Sequence, residues 1–249
     1  MRTSMNKASR VAVPLVTRDG TRWLRAEDRR YTLSPTLLAN YAGLDSPDTS
    51  RNTGRAIAQL HAALATWPHS IESWTYHMPT RIFDECVPRC REQLSGDLRV
   101  RYETALARFE PGAQVLLNPG QLTRLHGDCH GGNLLINDGV VSGFVDIDHL
   151  PLGPRLFDVA YYLADRAKNA LCENTLPGNW SEIVDGVWTG YDEIARWTIS
   201  EKTSLWHMIA GTQMLFVEVF AVNKIESHLL LNLQLFEWLT TQPRDSLVK

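Results

Sequence analysis

The chain has 249 residues, of which 44% are hydrophobic and 21% charged, and its formal net charge is -3. That is long enough to bury a sizeable core in one large domain or two small ones, with the balance of an ordinary globular protein and not of a disordered or fibrous one. So small a charge, and a negative one, argues against nucleic acid as the main partner.

The N-terminal stretch MRTSMNKASRVAVPLV carries basic residues but no apolar run of signal-peptide length. Residues 11–34 alternate apolar runs with turn signals: VAVPLV, Arg18-Asp19-Gly20, TRWLRA, Glu27-Asp28 and RRYTLS. Asp-Gly between β-prone runs is a hairpin signal, so two or three antiparallel strands are expected there. Residues 35–49, with two prolines and several small polar residues, read as a linker. From about residue 53 to 67 the pattern turns helical, with Ile57, Leu60, His61 and Leu64 on one face and Thr53 or Ser50 as N-cap. Further helices are expected over about 79–94, 97–109, 155–170, 181–196, 201–223 and 226–240. The run LWHMIAGTQMLFVEVFAV at 205–222 sits at the lower length limit for a membrane span, and His207, Gln213 and Glu218 interrupt it. A buried core helix is therefore expected, and no membrane partner. Cys86, Cys90, Cys129 and Cys172 form no C-x-x-C pair, so free thiols in a reducing cytoplasm are expected.

One stretch is crowded with polar groups. Residues 126–133 read HGDCHGGN, and DIDH follows at 146–149. Between them Leu134 to Ile136 form a short strand, Asn137-Asp138-Gly139 supply turn residues, and 140–145 return. If residue 137 pairs with 140, Asn133 lies across from Phe144, and Asp146 follows one step further on the same face. Asp128, Asn133 and Asp146 then converge at the open end of the hairpin. Carboxylate and amide oxygens suit magnesium, which takes few protein ligands beside substrate phosphates. Phosphoryl transfer needs that ion and a further carboxylate to orient and deprotonate the attacking hydroxyl, and Asp128 to Asn133 has the spacing D-x-x-x-x-N.

With these residues in place the sequence resembles the aminoglycoside phosphotransferase family, a kinase-like group that includes choline kinases and type II homoserine kinases. The resemblance rests on HGDCHGGNLL at 126–135, VSGFVDIDHLPLGPRLFDVA at 141–160 and, more loosely, GRAIAQLHAAL at 54–64. It implies an α+β, protein-kinase-like fold: a truncated small β lobe and hinge over residues 1–49, and a large, mostly helical C-terminal lobe over 50–249 carrying the catalytic hairpin. It implies ATP and Mg2+ as cofactors and a small-molecule hydroxyl as acceptor. Position by position it makes Asp128 the catalytic base and Asn133 and Asp146 the metal ligands. His126 and Gly127 shape the loop, and Asp158 braces it. Asp148 either faces the site or caps the next turn, and His130 and His149 contact solvent or substrate.

The sequence departs from that family at its front. No glycine-rich loop precedes residue 54, and the only lysine there is Lys7. A small lobe reduced to a few strands leaves a sheet edge uncovered, so a homodimer through residues 11–34 is expected. Two other readings stay open: a remnant that binds nucleotide or small molecule without turnover, and a metal-dependent hydrolase built on His126, Asp128, His130, Asp146 and His149. For the acceptor, Glu218 is the one acidic group that stands out, because it interrupts an apolar helix and would be costly to bury unpaired. Trp180, Trp188, Trp197 and Trp206 are at helical spacing and are read as core.

Overall fold

The computed structural model describes residues 10–11, 13–37, 46–66, 74–147, 149–176 and 180–242. Among the described residues, thirteen extended or helical segments lie between residues 10 and 154, and four long helices follow. In the front, β1 (Arg10–Val11) is followed by the antiparallel pair β2 (Leu24–Ala26) and β3 (Arg29–Tyr31), which turns through Glu27 with φ of 55°. The Asp19-Gly20 signal does make a turn, closed by the Thr17 N–H on the Thr21 carbonyl at 2.8 Å, and the Leu15 N–H reaches the Leu33 carbonyl at 2.8 Å. Two antiparallel strands thus form as expected, but they are joined at Glu27-Asp28, while the Asp19-Gly20 turn joins no named strands among the described residues. Pro14 has no N–H to give a ladder, and its carbonyl accepts instead from the Arg22 guanidinium at 2.6 Å. Val13, Leu15, Val16, Leu24, Tyr31 and Leu33 are all exposed along this segment.

The first long helix, α1 (Pro47–Ala65), starts well before residue 53 and inside the expected linker. Ser46 is its N-cap, accepting from the Thr49 N–H at 3.1 Å, with Pro47 at the first turn and Asp48 beside the positive end of the helix. Ser50 and Thr53 are buried within the helix and do not cap it. The second helical stretch, expected as regular, opens with a π-helical segment, Thr80–Cys86, before α2 (Val87–Gln93). Pro88 explains the widening: its ring displaces the carbonyl four residues back, and the Val87 N–H bonds Ile82 in an i to i−5 pattern. Helix α3 (Gly96–Phe109) follows.

Strand β4 (Leu122–Arg124) pairs antiparallel with β7 (Leu152–Pro154), a ladder with no clear sequence signal. Between them lies the hairpin of β5 (Leu134–Asn137) and β6 (Val140–Phe144), and β1 joins β6 in parallel. Asn137 pairs with Val140 as expected, but a bulge between Leu135 and Ile136 sets Leu134, not Asn133, opposite Phe144. Ser142 is the extra residue, with its hydroxyl on the Leu135 carbonyl at 3.0 Å. Asn133 is instead matched with Val145, whose N–H bonds the Asn133 carbonyl at 3.0 Å, so Asp146 still follows directly.

The helical half consists of α4 (Leu156–Cys172), α5 (Trp180–Asp192), α6 (Ile199–Val222) and α7 (Glu226–Thr241). Helices α1 and α5 cross almost in backbone contact: a Cβ at Gly190 would stand 1.9 Å from the Arg51 carbonyl, and one at Gly54 would stand 2.0 Å from that of Val187. Helix α6 is long and apolar enough to cross a membrane, and 78% of its most apolar window is buried by protein. Its start is fixed by a capping box between Thr198 and Glu201. Burial alone would raise the Glu201 carboxyl, but Arg155 and the Thr198 N–H outweigh it and hold it below the usual range. Trp180, Trp188, Trp197 and Trp206 are buried, as read, and Trp188 stacks on Trp197 with centroids 4.3 Å apart.

Candidate active site

The loop from His126 to Asn133 is held by one face of α4. Asp158, Tyr161 and Asp165 fall at i, i+3 and i+7, so all three project to the same side of the helix. The Asp158 carboxylate is fully buried; its Oδ2 accepts the His126 N–H at 2.7 Å and its Oδ1 the Gly127 N–H at 3.0 Å. Gly127 has φ of +83°, and a Cβ there would stand 2.8 Å from Pro151, so both backbone and space call for glycine. One helical turn on, the Tyr161 hydroxyl donates to Asp128 Oδ1 at 2.6 Å. Burial and that hydrogen bond hold the Tyr161 phenol well above its ordinary pKa, so it remains a donor. A further turn on, Asp165 Oδ2 accepts the Gly131 N–H at 3.0 Å. Burial acts to raise the Asp165 carboxyl, but Lys168, Arg166 and the Gly131 N–H together keep it below the usual range.

The loop also braces itself. Asn133 is buried, and its Nδ2 donates to the Asp128 main-chain carbonyl at 2.9 Å and to Asp128 Oδ2 at 3.0 Å. Asp128 therefore has one donor on each carboxylate oxygen, and each oxygen keeps a lone pair. The same contacts leave Asn133 Oδ1 as that side chain's acceptor. Asp146 is exposed, in the left-handed region with φ of 61°, immediately after the residue that pairs with Asn133. His126 is fully buried; its Nε2 donates to the Val145 carbonyl at 2.9 Å and its Nδ1 accepts the Asp128 N–H at 3.4 Å. It thereby ties the loop to the hairpin segment that carries Asp146. His130 Nδ1 accepts the Gly132 N–H at 3.0 Å, and its Nε2 lies 3.6 Å from Asp128 Oδ2.

Several expectations change. Asp148 lies outside the described residues. Among the described residues no group of three His, Cys, Asp or Glu side chains is placed to hold a metal, and the hydrolase reading loses its ligand set, with His126 turned to a backbone carbonyl. Glu218 is buried, but Arg81 and Arg89 both bind its carboxylate, so it does not offer a free charge to a cationic acceptor. The Cys129 thiol inside the crowded loop is fully buried, and burial pushes its pKa well up, which makes it an inert packing group.

Three partners escaped the sequence reading. His61, expected only as part of an apolar face, donates from Nε2 to Asp158 Oδ2 at 2.9 Å, with Nδ1 2.8 Å from the Tyr191 hydroxyl. Tyr161 and Asp165 are the others. Their signal was present: in FDVAYYLAD, polar groups recur at helical spacing on an otherwise apolar helix.

The donor set fits a hard divalent cation. Asn133 carries an amide oxygen, and Asp146, the residue after its backbone partner Val145, carries a carboxylate; both are oxygen donors of the kind magnesium takes beside water and phosphate. A family model described as "Phosphotransferase enzyme family" (APH) matches residues 10–195. Among relatives, stress response kinase A of Salmonella choleraesuis (strain SC-B67) is 26% identical over 180 residues, 70% of this chain and 52% of the relative. Homoserine kinase of Neisseria meningitidis serogroup B is 27% identical over 198 residues, 79% of this chain and 61% of the relative. The chain thus spans about half to three fifths of the length of these relatives. In structure it is similar to an amicoumacin kinase in complex with AMP-PNP, Ca2+ and Ami, with a TM-score of 0.63 and 14% sequence identity, over 92% of this chain and 72% of that one. At that identity the likeness shows a shared kinase-like fold.

Proposed function

The chain belongs to the APH phosphotransferase enzyme family, and on that premise we propose that it transfers the terminal phosphoryl group of ATP to a hydroxyl of a small molecule, with Asp128 as the base. The single observation that carries this reading is the Asp128 carboxylate, fixed by Tyr161 on one oxygen and Asn133 on the other at the mouth of the hairpin. Such a carboxylate is oriented without being neutralised. Neither donor is a cation, and each oxygen retains a lone pair for an incoming hydroxyl.

Asn133 Oδ1 and Asp146 would hold the magnesium ion, which supplies charge neutralisation at the transferring phosphoryl group. The chain's own residues do the remainder. Asp128 accepts the acceptor's proton as its oxygen forms the new bond to phosphorus, and the bond to the nucleotide's bridging oxygen breaks to leave ADP. The Asp158 carboxylate fixes the backbone that precedes Asp128, and Asp165 fixes the backbone that follows it. Because His126 and Asp158 are buried, Tyr161 is half-buried, and all three are bonded, the base is held in place before any substrate arrives.

The test is the Asp128→Asn variant. Transfer from ATP should fall by at least about a thousandfold if proton acceptance and orientation are both lost, while magnesium-dependent nucleotide binding stays near wild type. Transfer close to the wild-type rate would remove Asp128 as the base.

A further inference from the structure

His130 lies two residues past the base, and both side chains keep open surface, 35% for His130 and 29% for Asp128. The imidazole is held in one orientation. Its Nδ1 accepts the Gly132 N–H at 3.0 Å, so that nitrogen carries no hydrogen and Nε2 bears the N–H of the neutral ring. The ring folds back over Gly132 so closely that a Cβ there would stand 2.8 Å from His130 Cε1 and 3.0 Å from Nδ1, and a side chain at 132 would displace it. Its face lies against Tyr161, with centroids 6.4 Å apart and planes 28° from parallel. Held in this way, Nε2 stands 3.6 Å from Asp128 Oδ2.

That gap is longer than an N–H···O bond, and Oδ2 already takes the Asn133 amide at 3.0 Å. The other donors around the base are committed. Tyr161 spends its single hydrogen on Oδ1, and Asn133 spends both amide hydrogens, one on Oδ2 and one on the Asp128 carbonyl. The two cations beside the loop, Arg166 and Lys168, are drawn to Asp165 at 3.3 Å and 2.9 Å. Among the described residues, the His130 Nε2–H is therefore the donor beside Asp128 that no protein atom takes up at hydrogen-bonding distance.

A hydroxyl brings one hydrogen and two lone pairs. Its hydrogen goes to Asp128, and one lone pair must face phosphorus for the new bond to form. The second lone pair is left for a donor, and an oxygen seated on the open lone pair of Asp128 Oδ2 comes within reach of Nε2. We propose that His130 is a catalytic residue whose Nε2–H holds the reacting oxygen of the acceptor and fixes which lone pair lies along the line of transfer. The inference rests on the phosphotransfer reading. The acceptor's proton still goes to Asp128, since Nε2 already carries its hydrogen and Nδ1 is occupied by Gly132.

Two amide side chains separate this role from bracing of the loop. In His130→Asn the amide reaches about as far as Nδ1 and can still accept the Gly132 N–H, but it offers nothing at the Nε2 position. In His130→Gln the terminal NH2 reaches the Nε2 position, and the N–H of exposed Gly132 turns to water. Transfer is followed as ADP release from magnesium-ATP, with glycerol, homoserine, choline and methyl glucoside as acceptors, water as the background acceptor, and Asp128→Asn as the blank. In His130→Ala and His130→Asn kcat is expected to fall by about tenfold or more, and His130→Gln should recover most of that loss. Calorimetric affinity for magnesium-ATP should stay at the wild-type value in all of them. Bracing alone predicts the reverse order, with Asn above Gln. Wild-type kcat in His130→Ala, more activity in Asn than in Gln, or a loss confined to ATP affinity would overturn the proposal and leave Asp128 as the base. Nitrogen NMR of the histidine ring adds a readout without turnover: the Nδ1–H tautomer of His130 at neutral pH would overturn it as well. Wild-type chain that releases no more ADP than Asp128→Asn with every acceptor, water included, would instead contradict the phosphotransfer reading itself.

Discussion

Asp158→Asn is the most informative single change to the scaffold of the site. The native carboxylate accepts three hydrogen bonds, from His126 N–H, Gly127 N–H and His61 Nε2, with none of its surface exposed. An amide of the same shape has one accepting atom and one donating group. Turned the cheaper way, it keeps its oxygen toward His126 and His61 and sets an NH2 against the Gly127 N–H, which strands one buried donor. A stranded buried donor costs about 1–3 kcal/mol, and the two surviving bonds lose their charge assistance, so a total of about 2–4 kcal/mol is expected. Urea unfolding followed by tryptophan fluorescence should show a lower midpoint with an unchanged slope. Hydrogen exchange should show lost protection at the His126 and Gly127 amides. A loss below about 0.5 kcal/mol with both amides still protected would refute the claim that Asp158 clasps the loop.

Two further expectations concern the base and the N-terminal strands. Tyr161→Phe removes the hydroxyl on Asp128 Oδ1 and nothing else, so kcat should fall by about tenfold or more with nucleotide affinity unchanged, since a hydrogen bond to a charged group is worth roughly 1.5–3 kcal/mol. An unaltered kcat would show that the base is oriented without it. The exposed apolar side chains of Val13, Leu15, Val16, Leu24, Tyr31 and Leu33 along short, poorly paired strands favour pairing between copies, so light scattering should report a dimer, and a monomer at every concentration would contradict that.

What the sequence made legible follows from which physical signals are local. Helix positions came through because apolar periodicity over a dozen residues is long enough to be distinctive, and α4, α6 and α7 lie within two residues of their expected bounds. The hairpin and the pairing of Asn137 with Val140 came through because Asn-Asp-Gly is a turn whatever surrounds it. The bulge did not, because Ser142 gives no sign that its hydroxyl will take the Leu135 carbonyl. The start of α1 was misplaced because Pro47 was read as a linker residue when it also suits a first helical turn. In the site, the residues within HGDCHGGN and Asp146 were visible because they are adjacent in the chain. The partners on α4 and α1 are set by tertiary packing: nothing local to His61 tells that it faces a carboxylate 97 positions away. Glu218 shows the same limit, since Arg81 and Arg89 are more than a hundred residues distant and neutralise it only once folded.

The central claim is that the open end of the hairpin gathers a metal-phosphate site around Asp128. A calorimetric titration of the 249-residue chain with ATP, with and without magnesium, repeated on Asp146→Ala, tests it most directly. The account predicts binding that requires magnesium and weakens by about tenfold or more in the variant, as loss of one carboxylate ligand to a hard cation should produce. Equal affinity in wild type and Asp146→Ala, or binding indifferent to magnesium, would contradict it.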